Sequence, residues 1–145
     1  VTDLPEMASG MLGDATQGVP GAHIRDVFKR YGEAHSAGDV DAILALFADD
    51  AVVRDPANAP EHRGKSALRA FFEAGIEASG GPIAMTLEGN VRIAGNEGAA
   101  AYIVRTINSS PVFRVDTLDV MTFNEQGLIA QMIAYWGPEN FQQEG

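Results

Sequence analysis

The chain contains no cysteine, which excludes disulfides, thiolate nucleophiles and zinc–thiolate sites. Positive charge is scarce. Ten Lys and Arg stand against twenty Asp and Glu, for a formal net charge of −10, and the basic residues are scattered, so no stripe exists to neutralise a phosphate backbone. Nucleic acid and anionic membrane are therefore not expected as partners. No apolar run approaches the roughly 20 residues that span a bilayer, and the N-terminal stretch has no apolar core behind positive charge. A soluble, cytoplasmic protein is expected. There is no Gly-x-Ser-x-Gly elbow and no glycine-rich phosphate loop after a strand. His23, His35 and His62 are too far apart in sequence to suggest a ligand triad, so neither a metal nor a cofactor is expected.

What the chain does contain is a set of periodic apolar segments. Of 145 residues, 46% are hydrophobic, a length that fits one domain with a sizeable core. Residues 1–21 are rich in Gly, Pro and small polar residues and read as a flexible extension, leaving 22–145 as the single folded domain. Ile24, Val27, Phe28 and Tyr31 follow the spacing of one helical face, and Gly38 supplies a stop. Asp39 can cap a second helix that presents Val40, Ile43, Leu44 and Phe47 and runs into Ala48, Asp49 and Asp50, read as helix-end and turn residues. Ala51 to Asp55 reads as a short strand stopped by Pro56, with a polar loop from Asn58 to Gly64. A third helix carries Leu68, Phe71, Phe72, Gly75 and Ile76 and ends at the Ser79 to Pro82 cluster. The remainder reads as strands: Ile83 to Glu88, Val91 to Ala94, Ala99 to Ile107, Val112 to Phe123 and Leu128 to Trp136. Gly95 to Gly98 and Asn124 to Gly127 suggest hairpins. Helices first and strands afterwards predict an α+β domain.

Asp119 stands out. Alternation along Val112 to Phe123 puts it on one face with Phe113, Val115, Thr117, Met121 and Phe123, where an ionised carboxylate loses hydration unless it is paired or protonated. Such misplaced acids are often functional, although a buried acid accepting structural hydrogen bonds is the alternative. Tyr31, on the apolar stripe of the first helix, reads either as a core tyrosine or as a functional hydroxyl. Asp55 reads either as a turn cap or as an acid held at the edge of an apolar face.

A resemblance enters at these residues. Lys29-Arg30-Tyr31, Ser36 to Ile43, Phe47 to Pro56, Leu118 to Gly127 and Met132 to Trp136 resemble the corresponding segments of bacterial ketosteroid isomerases, within the wider group of nuclear-transport-factor-2-like domains. The resemblance covers about residues 24 to 141. It implies a cone in which a curved antiparallel or mixed sheet wraps around three helices and encloses an apolar pocket. It also implies a homodimer formed through the outer face of the sheet, a 3-oxo steroid substrate and no cofactor. In that family a tyrosine and an aspartic acid form an oxyanion hole and an aspartate is the general base. Tyr31, Asp119 and Asp55 match those positions. Trp136 matches the position of an indole donor near the base, and Phe28, Phe71, Val115, Met121 and Met132, with Trp136, are the expected lining of the substrate pocket. Phe47 and Phe72 stand where many of these isomerases carry supporting tyrosines, and Arg54, beside the base, replaces a residue that is often acidic. The expected activity is transfer of the steroid double bond from the 5,6 to the 4,5 position. The rivals are another enzyme of the group, such as a polyketide-cyclase-like aldol catalyst or an epoxide hydrolase, and a steroid-binding protein with little turnover.

Overall fold

The computed structural model describes residues 18–144. The extension expected at the N-terminus lies outside the described residues up to position 17, and Val19 already packs against the core. Helix α1 (Gly21–Ala37) buries Ile24, Val27, Phe28, Tyr31 and Ala34 along one stripe. It stops at Gly38, whose φ of 65° is the left-handed conformation that a Cβ disfavours. Asp39 then caps α2 (Val40–Leu44), accepting a hydrogen bond from the Ala42 amide at 3.0 Å.

The second helix is shorter than its sequence pattern suggests. Phe47 does not belong to it: β1 (Phe47–Arg54) begins there, with Phe47 paired to Ile129. The Lys65 ammonium donates to the Leu44 carbonyl where the helix ends, and the Leu46 carbonyl accepts from Ile129 N at 2.9 Å. Burial of Phe47 is common to both arrangements, so its apolar character did not discriminate between them. Asp49 and Asp50 are accordingly exposed strand residues and not helix-end and turn residues, in a stretch where the register with the neighbouring strand shifts.

After β2 (His62–Arg63), a two-residue strand inside the expected loop, α3 (Lys65–Ala78) buries Leu68 and Phe72. The remaining strands are β3 (Ile83–Ala94), β4 (Glu97–Thr106), β5 (Val112–Phe123), β6 (Ile129–Tyr135) and β7 (Phe141–Glu144). Two strands expected across Ile83 to Ala94 are one: Gly89, with φ of 80°, marks a register shift against β4 between Glu88 and Arg92, not a turn. The sheet order is β2-β1-β6-β5-β4-β3, with β7 on the first half of β5. All pairs are antiparallel except β1 with β6, so the sheet is mixed. The curved sheet and the helices form the α+β cone of the nuclear-transport-factor-2-like fold.

The core lies between the helices and the concave face. Helix α1 lies close against β4 at Gly98, where a Cβ would sit 2.7 Å from both Ile24 Cγ2 and Phe28 Cε2. Nearby, the Tyr102 hydroxyl donates to the Phe28 carbonyl at 2.6 Å. One small residue and one phenol thus fix the depth of α1, and with it the depth of Tyr31.

Candidate active site

Asp119 is 2% exposed and is the one buried polar or charged residue within the described core. Its cross-strand neighbours are Ala100 on β4 and Ala134 on β6, both buried. Methyl groups therefore flank the carboxyl, and its Oδ1 has no hydrogen-bond partner. Burial, reinforced by the negative charge of Asp55, pushes its pKa up to about 8. The Thr117 hydroxyl, two residues along the same face, offers a donor that opposes this rise. No bond is closed in this conformation, because Thr117 Oγ1 is also buried without a partner. At neutral pH Asp119 is chiefly a protonated carboxylic acid and a hydrogen-bond donor.

Tyr31 reaches the same space from α1. Its ring is 2% exposed and enclosed by four others, His35, Phe47, Phe72 and Tyr102, at centroid distances of 4.5 to 6.4 Å and steep angles. Edge-to-face packing of this kind orients a ring without hydrogen bonds. Burial, then the charges of Asp119 and Asp55, hold the Tyr31 phenol well above its usual pKa, so it too is a donor.

Asp55 follows the last residue of β1. Arg54 pairs with Ile133 across the parallel β1–β6 ladder, which places Asp55 beside Ala134, itself paired with Asp119. The two carboxyl groups thus flank an alanine in a row across three strands, on the order of 10 Å apart at the backbone given the usual strand spacing. The Trp136 Nε1–H donates to Asp55 Oδ1 at 2.6 Å. Burial raises the Asp55 pKa, while this hydrogen bond and nearby His62 oppose the rise. Asp55 is held in one orientation by a donor to its charged form, as a base requires. Arg54 instead bonds the Ala57 carbonyl at 3.3 Å.

Tyr31, Asp55 and Asp119 all line one cavity of about 460 Å³, with Phe71, Val115 and Trp136 among the apolar walls. Three residues expected in this wall lie elsewhere. Phe28, Met121 and Met132 are fully buried in the packed core and do not line the cavity. Each occupies the anticipated face, but deeper along its element than the cavity extends. Among the wall positions that the sequence did not mark as lining are His35, Thr117 and Ala134. His35 is four residues beyond Tyr31, on the same helical stripe, and Thr117 and Ala134 follow the strand alternation through Asp119 and Trp136. Among the described residues no group of three or more His, Cys, Asp or Glu is placed to hold a metal ion.

The sequence matches the SnoaL-like domain family over residues 28–132. It is 33% identical over 117 residues to the steroid Δ-isomerase of Nocardioides simplex, covering 81% of this chain and 92% of that protein. Among solved structures, the epoxide hydrolase/cyclase-like enzyme SalBIII, with a role in pyran ring formation in the polyether salinomycin, superposes with a TM-score of 0.75 at 23% identity. That superposition covers 86% of this chain and 98% of SalBIII, a likeness of fold.

Proposed function

We propose that this chain, which belongs to the SnoaL-like domain family, is a cofactor-independent steroid Δ-isomerase acting on 3-oxo-Δ5-steroids. The observation that carries this reading is one apolar cavity holding three oxygen groups in different states: two buried donors, Tyr31 and protonated Asp119, and one carboxylate, Asp55, fixed by an indole N–H. Similarity to a curated steroid Δ-isomerase supports the same assignment.

In the proposed reaction Asp55 removes a proton from C4. The C4–H electron pair becomes the C3–C4 double bond, and the carbonyl π pair moves to the C3 oxygen. Tyr31 and Asp119 donate hydrogen bonds to that oxygen, where negative charge develops in the transition state. The dienolate then collapses: the oxygen pair re-forms the carbonyl, the C3–C4 π pair becomes the C4–C5 double bond, and the C5–C6 π pair takes the proton from Asp55 to form the new C6–H bond. Nothing is oxidised or reduced overall. Ala134, between the two aspartates, leaves room for the substrate ring, and the apolar walls keep water from the proton in transit.

The test is the time course of 5-androstene-3,17-dione conversion, read as absorbance of the conjugated enone. Wild type should convert it, and Asp55→Asn should lose turnover by about 10²–10⁴-fold while still binding an equilenin-like phenol. Well-folded wild type without conversion would sink the reading.

A second reading, a steroid-binding protein with little turnover, is favoured by one observation: Phe47 and Phe72, rings without hydroxyls, surround Tyr31. With no donor from those positions to its oxygen, Tyr31 would be a weaker acid and a weaker oxyanion stabiliser. Tight phenol binding without isomerisation would select it. In either case we propose a homodimer formed through the convex sheet face.

A further inference from the structure

Three buried side-chain atoms among the described residues lack a hydrogen-bond partner, and all belong to residues lining the cavity of Tyr31, Asp55 and Asp119: Asp119 Oδ1, Thr117 Oγ1 and His35 Nε2. Such atoms are rare in native proteins, and each calls for an explanation. Asp119 is an oxyanion donor in the proposed reaction, and Thr117 is the hydroxyl beside it on the same face. His35 takes part in no step of the proposed reaction.

The His35 imidazole stands edge-to-face with Tyr31, 4.5 Å between centroids, and with Phe72 at 5.4 Å. Burial depresses its pKa to about 4. At neutral pH it therefore carries one N–H and one lone pair, which suits a hydroxyl or a carbonyl rather than an anion. A half-turn of the ring about Cβ–Cγ exchanges Nε2 with Cε1 within the same envelope, so the nitrogen can turn to meet a ligand without repacking.

Its place along the cavity defines what it would meet. His35 lies one helical turn, about 5.4 Å, beyond Tyr31 toward the end of α1, where Gly38 abuts Pro82. The exposed Gly75, Ala78 and Phe141 rim the cavity. A steroid whose C3 oxygen sits between Tyr31 and Asp119 lays the middle of its ring system beside His35. The other walls at this level, among them Ile83, Met85, Val104 and Val115, are apolar, apart from Thr106 and Ser79, whose hydroxyls are already hydrogen-bonded within the protein. A polar group on the ligand would find its partner at His35.

We propose that His35 is a specificity-determining residue that hydrogen-bonds an oxygen in the middle of the steroid, so that the preferred substrates are 3-oxo steroids hydroxylated at C11 or C19. The inference rests on the steroid reading of the site. It adds to that reading a requirement on the body of the substrate, away from the reacting ring.

Trp136 is the only tryptophan of the chain and lines the cavity, so its fluorescence reports occupancy. Affinities would be measured for 4-androstene-3,17-dione and its 11β-hydroxy and 19-hydroxy derivatives, with wild type, His35→Phe and His35→Gln. In wild type one hydroxylated ligand should bind about two- to tenfold more tightly than the parent, the increment of a single hydrogen bond. His35→Phe should erase that ratio, and His35→Gln, which retains a donor, should keep most of it. Three results overturn the proposal: no hydroxylated ligand favoured by wild type, a preference that survives in His35→Phe, or equal weakening of all three ligands, which marks His35 as a prop for Tyr31. If the preference depends on His35 but 5-androstene-3,17-dione is not turned over, the isomerase reading falls and the His35 assignment stands. If none of the three steroids perturbs Trp136, both fall.

Discussion

Replacing Asp119 by asparagine separates its two properties, donating a hydrogen bond and titrating. As the pH rises through about 8, wild-type Asp119 changes from a donor into an anion, which would face the oxyanion of the proposed reaction, and turnover should fall. Asp119→Asn keeps an N–H donor with nothing to ionise, so its pH–rate profile should lose that alkaline limb. Asp119→Ala, with no donor, should lose about 10²–10³-fold in turnover. The same shift appears in stability. The native state holds the Asp119 proton where the unfolded chain, with an ordinary carboxylate pKa of about 3.9, releases it. The contribution is therefore complete below that pKa, erodes above it, and is lost as the pH passes through about 8. Urea midpoints of wild type relative to Asp119→Asn should decline with pH across that window. Trp136→Phe deletes the donor to the Asp55 carboxylate, so the Asp55 pKa should rise further and the acid limb of the pH–rate profile should move to higher pH. Much of this was legible beforehand: alternation along one strand was enough to put Asp119 on an apolar face. Periodicity assigns a face and not a depth, however. That is why Phe28, Met121 and Met132, on the right faces, belong to the core, while His35, one turn from Tyr31, belongs to the cavity.

At the level of elements, the seating of α1 on β4 sets the height of Tyr31 in the cavity. Gly98→Ala would drive a methyl group to 2.7 Å from Ile24 and Phe28, side chains already fully buried. The expected cost is about 1–3 kcal/mol of stability, read from chemical denaturation. Because relief requires α1 to lift, turnover should fall by more than the loss of folded protein explains. Gly98 was readable in sequence only as part of a hairpin signal, since a close approach between elements leaves no local mark. The early end of α2 was hidden for a related reason: Phe47 is buried as a strand residue as fully as it would be on a helix. Gly89 and Asn90 resembled a turn because a bulge and a turn use the same left-handed glycine. The order of helices and strands, by contrast, followed directly from the switch of apolar period after Pro82.

For the whole molecule, the convex face of the sheet carries a cross-strand pair, Leu118 and Tyr135, exposed by 44% and 49%. Their neighbours Val120 and Ile133 are also paired to each other. This apolar strip is the face through which we propose that two copies associate. Leu118→Lys with Tyr135→Lys should convert a dimer into a monomer in sedimentation velocity. With a net charge of −10 per chain, added salt should tighten the wild-type dimer. A single sedimenting species of monomer mass for wild type would remove that assignment. The parallel pairing of β1 with β6 has a consequence in time. Asp55 and the indole that holds it are 81 positions apart, and the strand between Asp55 and Asp119 in the sheet is made after both of them. Until β6 arrives, β1 has one edge with no mate and both acids lack the alanine that separates them. The working arrangement therefore comes together as a closing event of folding. In refolding, recovery of turnover should track the burial of Trp136 and lag behind the return of helix.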